Sequence, residues 1–201
     1  MAKKTKKAAA PPDFPFYEYL LLFYRENRTA IRANYRPLTK KFLEHNNPET
    51  GGWLRKPQFE ALEMYVFLKE GLDNRMLHEV FKDWYEKRGA FEGRTGAKIK
   101  GHGTLEMFEG LDAQQYKQVF DTFQQFQLNY PNYIFALTMG LGKTVLMATS
   151  IFYEFLLANK YPQDPKYCHN ALVFAPDKTV LQSLKEIQTL DKGKVVPPEY
   201  V

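Results

Sequence analysis

Gly140, Gly142, Lys143 and Thr144 are the residues whose types and spacing best suit chemistry, and that chemistry is a grip on phosphate. They close the turn Thr138-Met139-Gly140-Leu141-Gly142-Lys143-Thr144. The two glycines let the backbone bend tightly enough for successive N–H groups to converge on phosphate oxygens. A helix starting near Lys143 would point its positive dipole end at the same place. The Lys143 ammonium reaches β- and γ-phosphates, and the Thr144 hydroxyl ligates Mg²⁺. ATP and Mg²⁺ are therefore the expected ligands. A chance Gly-Lys-Thr opening a core helix is the competing explanation. The apolar, β-prone run 132–138 before it and the long segment without Pro or Gly after it argue against chance.

Three regions would position this turn. Residues 1–13 read as a solvated basic tail, with Lys3, Lys4, Lys6 and Lys7 ahead of Pro11-Pro12. Residues 14–128 read as mainly helical. Apolar residues recur at helical spacing from Pro57 to Lys69, and further helices are expected over 75–87 and 113–127. The Gly- and charge-rich stretch 89–110 reads as a loop. Residues 129–201 alternate strand and helix: strands at 132–138 and 171–175, helices at 143–159 and 178–188. That βαβα order predicts an α/β fold with parallel strands, preceded by the helical region.

The turn 138–144 resembles motif I of superfamily-two helicases and translocases, although Leu137 stands where Gly or Ala is usual. The segment Val173-Phe174-Ala175-Pro176-Asp177-Lys178-Thr179-Val180-Leu181 resembles their motif Ia. The branch that looks most similar is the DEAD/DEAH-box group containing the Res subunit of type III restriction enzymes. Its Leu-Arg-x-x-Gln-x-Glu-Ala pattern is matched by Leu54-Arg55-Lys56-Pro57-Gln58-Phe59-Glu60-Ala61. The resemblance implies an incomplete RecA-like domain, with Gln58 reading the adenine edge through an amide that donates and accepts. Gln58 lies unusually far upstream of Lys143, so residues 72–128 would be an insertion. Gln115, in Leu111-Asp112-Ala113-Gln114-Gln115, has the customary spacing but lacks the arginine. Pro176, Lys178 and Thr179 would lie along a nucleic-acid backbone, with Lys178 neutralising a phosphate. The resemblance also implies DNA as a partner, together with a modification or specificity subunit of the parent system.

The family's Asp-Glu pair is missing after Lys143, where the acidic residues are Glu154, Asp164, Asp177, Glu186, Asp191 and Glu199. The expectation is an N-terminal fragment that binds ATP without hydrolysing it. A non-motor phosphate-loop module, with a helical protein-binding region, is the alternative function. Hydrophobic and aromatic contents of 44% and 15% indicate a folded chain, and no apolar run approaches a membrane span. Cys168 is alone, which excludes an internal disulfide and fits a cytoplasmic location; a metal pair with His169 lacks further ligands. Net charge is +5 among 201 residues. The cluster Arg25, Arg28, Arg32 and Arg36 is either a solvated helix face or a phosphate-contacting stripe.

Overall fold

A computed structural model describes residues 16–86, 88–96, 112–125, 128–174, 182 and 184–201. Eight α-helices are defined among them: α1 (Phe16–Ala33), α2 (Pro37–Asn46), α3 (Lys56–Val66), α4 (Leu77–Glu86), α5 (Arg88–Thr95), α6 (Ala113–Gln125), α7 (Lys143–Lys160) and α8 (Glu186–Thr189). Helix α3 runs on into a π turn, Phe67–Gly71, closed by the Leu72 N–H donating to Phe67 O at 2.8 Å. The chain forms two units, each discontinuous in sequence.

The first unit comprises Met1–Asn27 and Arg75–Asn132. Its core is aromatic because α1, α4 and α6 each repeat large apolar residues at helical spacing. Phe16 meets Phe81 and Trp84 edge-on, both at 5.2 Å between ring centroids. Tyr85 and Tyr116 stack at 4.1 Å. Such offset and edge arrangements satisfy the ring quadrupoles while burying large areas.

The second unit comprises Arg28–Asn74 and Tyr133–Val201. Here α7 packs on α2 and α3: Leu146, Tyr153 and Leu157 of α7, Phe42 of α2, and Leu62 and Val66 of α3 are all buried, and the Phe42 and Tyr153 rings lie 5.5 Å apart. The C-terminal turn joins the same core: Val195 is buried, and its carbonyl accepts from the Asn46 side chain at 2.8 Å. Arg28 and Arg32 both meet the buried Glu63, at 2.8 and 3.3 Å. Arg36 pairs with Asp164, and its guanidinium lies 4.0 Å from the centre of the Tyr161 ring. These three arginines are ion-pair partners within the second unit and do not form a bare solvated face.

The expected parallel sheet is not formed. Among the described residues there is no strand, so the α/β, RecA-like expectation is corrected to a helical architecture. Segment 132–138 keeps the alternation of a strand: Tyr133 and Phe135 turn toward Tyr65, at 6.3 and 6.1 Å, while Ile134 is 94% exposed. Residues 171–174 are equally open, with Leu172 and Phe174 at 80% and 82% exposure. The two segments line a common cavity over α7 instead of pairing. Alternation selects a face, but a ladder also needs a partner backbone about 4.8 Å away. The segment expected to be a loop also differs: residues 88–95 are helical despite Gly89 and Gly93. The tail 1–13, and residues 175–181 at the end of the second expected strand, lie outside the described residues.

Candidate phosphate-loop site

Two helix starts build the site. Helix α7 begins at Lys143, directly after Gly142. Gly140 and Gly142 have φ of +76° and +69°, a region where a side chain costs about 1–2 kcal/mol. Each glycine thereby supplies a bend that carries the chain from the extended run into the helix. The Gly142 carbonyl accepts the first α7 bond, from Leu146 N at 3.2 Å. The N–H groups of Lys143, Thr144 and Val145 precede that bond and have no intrahelical acceptor. Open donors and a positive dipole end are the features of a helix start that suit an anion.

The start of α3 is the second component. Arg55 precedes the helix in extended conformation, and Pro57 occupies its first turn, where a missing N–H does no harm. The Arg55 N–H donates to Gln58 Oε1 at 2.8 Å, half of a capping box. The Gln58 side chain is thus held rigidly, and the residue is only 4% exposed. Its Nε2 donates to Gly142 O at 2.9 Å, across 84 residues of sequence. Arg55 Nη1 donates to Gly140 O at 2.8 Å. Lys143 Nζ donates to Thr138 O at 3.1 Å. Three carbonyls of the loop are therefore held by side chains, two from the start of α3 and one from the loop's own Lys143.

The remaining candidate residues divide plainly. Met139 is exposed and Leu141 half-buried. Thr144 is half-buried beside a hollow of about 300 Å³ shared with Trp53, Val145, Glu186 and Asp191. Among the described residues, no group of three or more His, Cys, Asp or Glu is arranged to hold a metal ion. A bound Mg²⁺ would thus rest on Thr144, phosphate oxygens and water, which suits its preference for retained water. Pro176, Lys178 and Thr179 lie outside the described residues. Gln115 belongs to the first unit, where its amide oxygen accepts from the Asp112 N–H at 3.0 Å.

A second constellation borders the loop. A cavity of about 760 Å³ is lined by Lys143, Leu146, Ser150 and Glu154 of α7, with Tyr65 and Cys168. Glu154 is buried and pairs with buried Lys69 at 3.2 Å. It also accepts from Tyr65 OH at 2.6 Å and Cys168 N at 3.0 Å. Burial first, and then the Glu154 carboxylate, raise the Tyr65 phenol far above its ordinary value. The same two causes raise the Cys168 thiol, leaving it a weak nucleophile at neutral pH. The signal for this cluster was present in the sequence: Glu154 is the one charge between Lys143 and Lys160 of an otherwise apolar helix.

Comparison with family models, with curated proteins and with solved structures found no match to this chain.

Proposed function

We propose that the turn 138–144 holds the triphosphate of MgATP, and that the chain is the ATP-gripping part of a DNA-dependent motor of the helicase–translocase kind. The observation that carries this reading is the Gln58 bridge. A glutamine amide offers two donor hydrogens and two acceptor lone pairs. Gln58 uses one donor on Gly142 O and one acceptor site on Arg55 N–H. One donor and one acceptor remain, the pair that matches N7 and N6 of adenine. Gln58 thereby links the base subsite to the phosphate loop. The open N–H groups at the α7 start, with Lys143, take the phosphates. Thr144 helps hold the magnesium. Pro176, Lys178 and Thr179 supply the DNA-backbone contact in this proposal, and a specificity or modification subunit is the protein partner of such a motor.

Calorimetric titration with MgATP tests the reading. The Lys143→Ala variant should bind more than tenfold more weakly than the unaltered chain; equal affinities would overturn it. Hydrolysis needs a carboxylate pair that the sequence lacks after Lys143, so binding without turnover is expected of residues 1–201. Single-stranded DNA tests the motor part. Lys178→Ala should reduce the salt dependence of binding by roughly one counterion. A chain that binds MgATP but ignores DNA would favour the nucleotide-dependent regulatory module.

A further inference from the structure

The N–H groups of the phosphate loop are oriented by what holds their carbonyls. In a trans peptide the C=O of one residue and the N–H of the next point to opposite sides, and no cis peptide occurs among the described residues. Fixing one therefore aims the other. Arg55 Nη1 holds Gly140 O, so the Leu141 N–H is turned away from α3. Gln58 Nε2 holds Gly142 O, so the Lys143 N–H is turned away in the same manner. Gly142 O also takes the first α7 bond, from Leu146 N, whereas Gly140 precedes the helix at positive φ, where the absence of a side chain leaves little to resist a peptide flip.

We infer that Arg55 is a positioning residue: its guanidinium holds the Gly140–Leu141 peptide with its N–H directed at the bound phosphates, without itself reading the base. This deepens, and rests on, the reading of the loop as a triphosphate site. The first turn of α3 then acts as a two-pronged fork. Gln58 is the buried prong and serves both base and loop. Arg55 is the exposed prong and serves the loop alone. An arginine suits the outer position because its planar donors keep direction on a long stem, whereas a lysine offers a mobile point charge.

The separation of roles makes the test specific. MgATP and magnesium tripolyphosphate are titrated into the unaltered chain and into Arg55→Ala, Arg55→Lys and Gln58→Ala variants. Arg55→Ala should weaken both probes by the same factor, about tenfold for a charged hydrogen bond. Arg55→Lys should recover part of the loss for both. Gln58→Ala should weaken MgATP more than tripolyphosphate. The Leu141 amide proton gives the readout that a merely structural role would not move. Its resonance should shift on adding tripolyphosphate to the unaltered chain and stay put in Arg55→Ala, while amides of the α7 core keep their positions in both. Should Arg55→Ala not fold, Arg55→Gln supplies the same comparison. The inference is overturned if Arg55→Ala binds both probes normally, or if it loses MgATP alone, which would make Arg55 a nucleoside contact. An unaltered chain that binds neither probe would remove the triphosphate reading itself, and this role with it.

Discussion

At the residue scale, Gly140 and Gly142 look interchangeable in sequence and are not. A methyl group built on Gly140 meets nothing within 4 Å, whereas one built on Gly142 lies 2.7 Å from Gln58 Nε2. Gly140→Ala should therefore destabilise the second unit by the left-handed strain alone, about 1–2 kcal/mol. Gly142→Ala carries the same strain and also displaces the Gln58 amide, adding about 1 kcal/mol. Urea unfolding of the two variants checks the order, and equal losses would contradict it. The bends of this loop and the helix start after it were legible because they depend on local residue types. The Gln58 pairing was legible only through the Leu-Arg-x-x-Gln resemblance, since no local rule joins residues 84 apart. The ion pairs of Arg28, Arg32 and Arg36 were hidden because sequence does not show which carboxylates the fold will bring to them.

At the scale of elements, the long helices follow from periodicity, the helix Arg88–Thr95 does not, and the strands do not survive. Residues 143–160 contain no Gly or Pro, and helix α7 occupies all of them. Segments 132–138 and 171–174 carry a strand's composition, but composition selects a face and says nothing of a neighbour. The π turn after α3 was equally hidden, because its cause is tertiary. It lets consecutive residues serve different partners: Lys69 meets Glu154 of α7, while Glu70 accepts from Thr39 Oγ1 of α2 at 2.6 Å. The α3–α7 joint thus contains a buried charge pair whose halves are worth little apart. Glu154→Ala should destabilise the protein by roughly 3–5 kcal/mol, because it strands the Lys69 ammonium. Replacing both, with Lys69→Met and Glu154→Leu, should recover most of that loss. Thermal unfolding of the single and double variants decides it; a double variant as unstable as the single would show that the pair is not the joint's liability.

At the scale of the whole molecule, the tyrosines set a limit on the alkaline side. In the second unit, burial pushes Tyr133 up to about 12 and raises Tyr65, Tyr153 and Tyr167 further. In the first, burial and the Glu86 carboxylate raise Tyr116. The unfolded chain ionises its tyrosines near 10.0, so above that pH the folded state binds more protons and loses stability as pH rises. These five tyrosines, of the thirteen in the chain, should therefore ionise only together with loss of the far-ultraviolet circular dichroism. Ionisation of all thirteen tyrosines with the helices intact would contradict it. The discontinuity of the units has a consequence of another kind, in the order of events as the chain folds. The chain leaves the second unit after Asn74 and re-enters it at Tyr133, so Gln58 can find Gly142 only when a long excursion has been closed. For a flexible chain of 84 residues, closure costs about 4 kcal/mol of entropy before any contact returns it. The Arg55–Gln58 fork and the loop it holds thus cannot meet until Gly142 has been made, and a nascent chain must synthesise the whole excursion before this candidate site is assembled.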